Sequence, residues 1–99
     1  MKLYISGRIS GLPRHIAERN FERAEKLLIA NNYEPVNPMK LVPEGVDNAA
    51  AMKLLIPAML ECDGILLLDD WQWSEGAKIE ESLARYCGLW RINIVEFEK

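Results

Sequence analysis

Residues Cys62 to Gly88 read CDGILLLDDWQWSEGAKIEESLARYCG, and their pattern decides the fold. Gly64 to Leu68 is a short continuous apolar run, as expected of a buried strand, and Asp69 to Trp73 is an acidic and aromatic turn. Ser74 then stands as an N-cap, a helix is predicted from Glu75 to Cys87, and Gly88 stops it. In open parallel sheets ligands sit beyond the carboxyl ends of the strands, which is where this turn falls. Within the helix, Ala77, Glu80, Leu83, Ala84 and Cys87 share a face at spacings of three and four. Glu80 is therefore a charge set into a stripe of small apolar residues. Its neighbour Glu81 points elsewhere, toward Lys78 and Arg85, and is predicted to be a surface ion-pair partner.

Two readings stand for Glu80. In one it is a helix-edge carboxylate that snorkels to water or pairs with a neighbour. In the other it is an anion near the start of a helix at the mouth of a sheet, favoured by the helix dipole. Such a group is suited to attack carbon as a nucleophile. Residue pattern alone leaves both open.

Outward from this stretch, the chain alternates strand and helix. Lys2 to Ser6 is a strand, followed at once by Gly7-Arg8-Ile9-Ser10-Gly11-Leu12-Pro13. That loop is neither a GxGxxG fingerprint nor a P-loop. It is a plain strand-to-helix turn, or a loop whose amides, serines (Ser6, Ser10) and Arg8 hold a phosphate or sugar hydroxyl, with Gly7 and Gly11 giving backbone freedom. Arg14 to Asn31 is a helix with Ala17, Phe21, Ala24 and Leu28 on one stripe, and Tyr33 to Val36 is a strand ended by Asn37-Pro38. After a loop from Met39 to Val46, Asp47 or Asn48 caps a helix running to Glu61. Its predicted buried stripe is Met52, Leu55, Ile56, Met59 and Leu60, with Pro57 expected to kink it. Arg91 to Phe97 is the predicted last strand. The order β-α-β-α-β-α-β, with right-handed crossovers, predicts a small three-layer α/β domain of the Rossmann or flavodoxin-like type over residues 1–99. Its four-stranded parallel sheet has the predicted order 2-1-3-4.

Composition narrows the classes of function. With 49% apolar and 27% charged residues in 99, the chain is one soluble domain with a single core. A net charge of −3 and a pI near 5.2 give no general attraction to a nucleic acid polymer or an anionic membrane. The sequence shows neither a membrane-span-length apolar run nor a secretory signal, so a cytoplasmic location is expected. Cys62, Cys87 and His15 make neither a disulfide framework nor a metal site. Both cysteines are predicted to be buried free thiols.

Three stretches together resemble one family. They are YISGRISG at Tyr4 to Gly11, Asn37-Pro38, and Cys62-Asp63 … Trp71-x-x-Ser74-x-Gly76-Ala77-x-x-Glu80. This set resembles small bacterial and phage domains allied to the nucleoside 2-deoxyribosyltransferases, over nearly the whole chain. Its most specific part is Ser74-x-Gly76-x-x-x-Glu80, which matches a glycine four residues before a nucleophilic glutamate. The resemblance implies a retaining exchange at an N-glycosidic bond of a deoxynucleoside or its 5′-monophosphate, with Glu80 attacking the anomeric carbon. It also implies that Ser74, Gly76, Asn37 and the Ser6 to Gly11 loop line the substrate pocket. Trp71 and Trp73 offer faces to stack on a base, or surfaces that pack against the loop or a neighbouring subunit. A homodimer or larger homo-oligomer is expected by the same resemblance, and the chemistry calls for neither metal nor organic cofactor.

The chain also departs from that pattern. Relatives carry an aspartate eight residues before Asp63 that assists protonation of the leaving base, and here that position is Leu55. Asp69 and Asp70 replace a Pro-Gly pair before Trp71, and one of these acids is a candidate to compensate, with its neighbour's charge keeping it protonated. Three functions follow: an enzyme that cleaves or exchanges the base, a nucleotide-binding module that has lost catalysis, and an interaction protein that assembles through its tryptophans.

Overall fold

The computed structural model describes residues 1–98. Four strands, β1 (Lys2–Ser6), β2 (Glu34–Val36), β3 (Gly64–Leu67) and β4 (Trp90–Asn93), alternate with three helices, α1 (Arg14–Ala30), α2 (Asn48–Leu60) and α3 (Glu75–Tyr86). All strand pairs are parallel and the sheet order is β2-β1-β3-β4, as predicted. The chain steps one way from β1 to β2, then jumps back across β1 to β3 and continues to β4. Right-handed crossovers therefore put α1 on one face of the sheet and α2 with α3 on the other. The two core clusters follow this division. Leu3 and Ile5 pack with Phe21, Ala24 and Leu28 of α1, while Tyr4, Ile65 and Leu67 pack with Leu55 and Met59 of α2 and Ala84 of α3.

Strand alternation has a second consequence. Residues two apart point to the same face, so Tyr4 and Ser6 both look toward the α2–α3 layer, whereas Leu3 and Ile5 look toward α1. The order of strands reverses between β1 and β3, the neighbouring pair in which Ser6 lies beside Leu67. Beyond the carboxyl ends of these two strands a crevice opens. Gly7 marks how close the two chain segments come there: a Cβ on it would lie 2.5 Å from Cδ1 of Leu68.

Helix signals read from the sequence hold locally. Ser74 Oγ accepts from the Ala77 amide at 3.1 Å, and Asp47 Oδ1 accepts from the Ala50 amide at 2.9 Å. Gly88, at φ +76°, ends α3 in the left-handed region that glycine favours. Four expectations need correction. The last strand stops at Asn93, and Ile94–Phe97 is a 3-10 turn in which Asn93 and Glu96 form a capping box. Its apolar residues Ile94 and Phe97 recur at the three-residue period of that turn, not at the two-residue period of a strand. Leu60 lies on the exposed side of α2, and Cys87 is exposed at the end of α3. Pro57 lies inside α2, which runs from Asn48 to Leu60. Glu81, expected at the surface, is buried, for reasons given below. Among the described residues no helix is long and apolar enough to cross a membrane.

Candidate active site in the β1–β3 crevice

Glu80 sits in the second turn of α3, on the side that packs over the carboxyl end of β1. Its residue is 5% exposed, and both carboxylate oxygens are held. The Tyr4 hydroxyl donates to Oε2 at 2.6 Å and the Ser6 hydroxyl donates to Oε1 at 2.8 Å. The two donors are consecutive same-face positions of the central strand, so one rigid element clamps the carboxylate. Neither donor carries a charge. Burial accordingly pushes the Glu80 carboxyl above its ordinary value near 4.5, and the hydrogen bonds from Tyr4 and Ser6 draw it partway back. The Tyr4 phenol is pushed far up, first by burial and then by the Glu80 charge, so it stays a proton donor.

Glu80 forms part of the wall of a cleft of about 590 Å³, a volume suited to a small molecule. Three loop regions line it. After β1 come Gly7, Arg8, Ser10 and Arg14; after β2 come Pro38, Met39, Val42 and Asn48; after β3 come Trp73, Ser74 and Gly76. Met52 and Leu55 of α2 close the far side. Ser10 Oγ donates to Asn48 Oδ1 at 3.0 Å, which ties the first loop to the start of α2. Arg8 is anchored by its Nε donating to the Ser10 carbonyl at 3.3 Å and its amide donating to Asp70 Oδ1 at 3.1 Å. A Cβ on Gly76 would meet nothing nearer than the Met52 sulfur at 3.9 Å, so the bare backbone there leaves room in the cleft.

Of the candidate residues, Glu80, Gly7, Arg8, Ser10, Trp73, Ser74 and Gly76 converge on this cleft, and Ser6 reaches it through its bond to Glu80. Others fall outside its lining. Asp70 is occupied by the Arg8 amide, and Asp69 lies on the outer side, 3.9 Å from Arg23. Neither lines the cleft wall to which Leu55 belongs. Asn37 is buried and caps the turn that follows it, its Oδ1 accepting from the Met39 amide at 2.9 Å. Trp71 packs against the α2–α3 core, and only Trp73 stands free on the rim, 77% exposed. Gly11, at φ +87°, shapes the loop behind Arg8.

Sequence reasoning missed Tyr4, Arg14 and Asn48. Tyr4 was legible in principle: a central strand with hydroxyl residues at two successive same-face positions needs an acceptor for both. Glu80 is the one group that meets this need.

No curated protein and no solved structure matches the chain. The model of a protein family described as "Domain of unknown function (DUF4406)" matches residues 1–93, a span that contains all four strands and every residue of the cleft. The chain with its hydroxyl-clamped glutamate therefore belongs to that family.

Proposed function

We propose that the protein cleaves or exchanges the base of a nucleoside or nucleotide through a covalent glycosyl–Glu80 intermediate, in the manner of the nucleoside 2-deoxyribosyltransferases. The observation that carries this reading is the buried Glu80 carboxylate on the cleft wall, held by two neutral hydroxyls and, among the described residues, by no cation. A carboxylate neutralised by an arginine is a poor nucleophile. One held only by hydroxyl donors keeps its charge available, and burial raises its basicity. Each oxygen accepts a single hydrogen bond from protein, so a lone pair remains free for the anomeric carbon.

In this mechanism a Glu80 oxygen bonds to the anomeric carbon as the bond to the base breaks, through an oxocarbenium-like transition state. Tyr4 and Ser6 fix the attacking oxygen in one orientation, which lowers the entropy cost of reaching that state. Water or a second base then displaces Glu80 from the sugar with overall retention. Arg8 and Arg14, the two cations in the lining, are placed to receive an anionic or hydroxylated end of the substrate. A second copy of the chain, expected by the same resemblance, would cover the open side near Trp73.

The second reading is a nucleotide-binding module without catalysis, and Leu55 in the cleft wall favours it. A thermal-shift screen over nucleosides and 5′-monophosphates, with chromatography for free base on each hit, separates the two. Base released by the native protein and not by Glu80→Gln supports the enzyme. A raised Tm with no free base supports the module, and neither effect on any compound removes both.

A further inference from the structure

The cleft holds a nucleophile and lacks an acid. Among the described residues its ionisable lining is Arg8, Arg14, Glu75 and Glu80. Guanidinium groups hold their protons too tightly to deliver them. Glu75 is an exposed rim residue. The Tyr4 proton is committed to Glu80 from behind, within the core. Apart from the Asn48 side-chain amide, whose Oδ1 accepts from Ser10, the wall facing the cleft from the α2 side and the loop before it is apolar, made by Met39, Val42, Met52 and Leu55. A neutral base leaving against this wall departs as an anion with nothing to protonate it, which is unfavourable twice over.

Resting on the glycosyl-transfer reading above, we infer that the site takes N-glycosides whose base is quaternised, such as a pyridinium or an N7-alkylated purine. In such a compound the electron pair of the breaking C1′–N bond returns to a positively charged ring, and the base leaves as a neutral molecule. A Glu80 oxygen forms the new bond to C1′. Water then attacks C1′, the ester bond to Glu80 breaks, and the proton of that water goes to solvent. No external acid enters either step. The surroundings favour this course: positive charge on the base is extinguished beside an apolar wall, a change that a region of low polarity promotes. Trp73, free on the rim of the same cleft, offers the aromatic face that best attracts a cationic ring.

Matched pairs test the idea with the native protein. Release of base is followed from 7-methylguanosine against guanosine and from 7-methyl-2′-deoxyguanosine against 2′-deoxyguanosine, with nicotinamide mononucleotide as the pyridinium probe. Uncatalysed loss is subtracted throughout. The expected result is kcat/KM at least about 100-fold higher for the quaternised member, the lower range of what a positioned acid contributes. Leu55→Asp, with folding checked by circular dichroism, is expected to narrow that gap by raising the rate on the unmethylated member. Rates within about 10-fold of each other in the native protein overturn the inference and leave the glycosyl-transfer reading standing. If no base is released from any of these compounds or from the nucleoside panel, both fall together.

Discussion

Glu80 and Glu81 are adjacent on α3 and equally buried, each 5% exposed, yet their surroundings are opposite. Glu80 turns toward the crevice and meets only hydroxyls. Glu81 turns toward the sheet edge, where Arg91 of β4 donates to it and Arg85, one turn along α3, lies 3.6 Å away. The second carboxylate is a fastening between the last helix and the last strand. The first has no neutralising partner among the described residues, a costly arrangement in a buried site that structure alone does not require. The lesson is that burial of a charge does not by itself mark a candidate site; burial without a countercharge, facing a cleft, does.

The largest expected effect breaks the symmetry between the two. Glu80→Gln should lower base release by at least about 1,000-fold, while Glu81→Gln should leave turnover of the folded protein near the native level, both measured by chromatography of free base. In stability the order reverses. Glu81→Ala should cost roughly 1–2 kcal/mol in urea titration. That is less than for a fully buried pair because its arginines are half exposed. Glu80→Gln should stabilise by about 1 kcal/mol at neutral pH, roughly 4–8 °C in Tm for a domain of this size.

The sign of that last effect follows from linkage. The folded-state value of Glu80 lies above its ordinary value near 4.5, so between the two the native protein binds more protons than the unfolded chain. The native protein's stability is full below the ordinary value and falls as pH rises through the raised one, while that of Glu80→Gln does not depend on this group. The Tm gap between native protein and Glu80→Gln should therefore open across that window and vanish in acid. Turnover should show the complementary limb, rising with pH as Glu80 ionises.

Much of this was legible in the residues. The run Gly64 to Leu68, the cap at Ser74 and the stop at Gly88 are local signals. Right-handed crossovers convert them into a sheet order with little freedom left. Glu80 was visible as the one charge in an apolar stripe. Its pairing was not read, because Tyr4 and Ser6 lie 76 and 74 residues away: Tyr4 passed as strand core, and Ser6 was read as a donor of the loop after β1 and not as a partner of Glu80. Glu81 misled for the same reason: Lys78 and Arg85 were in helical reach, whereas Arg91 is brought to it only by the register of β4. Asp69, Asp70 and Asn37 are polar residues near the strand ends whose side chains serve nearby backbone or surface charges, and sequence position alone does not distinguish that from facing a ligand.

Smaller effects sharpen the contrast. Tyr4→Phe removes one of the two bonds that favour the Glu80 anion, so the pH midpoint of turnover should move up further, with about 1 kcal/mol lost in stability. The equivalent change on the other side, Arg85→Ala, should leave that midpoint where it is. Trp73→Ala should raise KM for a quaternised substrate about 2- to 5-fold with little change in Tm, since the ring is free on the rim.

The most direct measurement is the mass of the protein quenched in acid during turnover, followed by fragmentation of the tryptic peptide Ile79 to Arg85, which carries both glutamates. The expected result is an added glycosyl mass on Glu80 and none on Glu81, absent from Glu80→Gln. Free base accumulating with both carboxylates unmodified, or at an undiminished rate in Glu80→Gln, would contradict it.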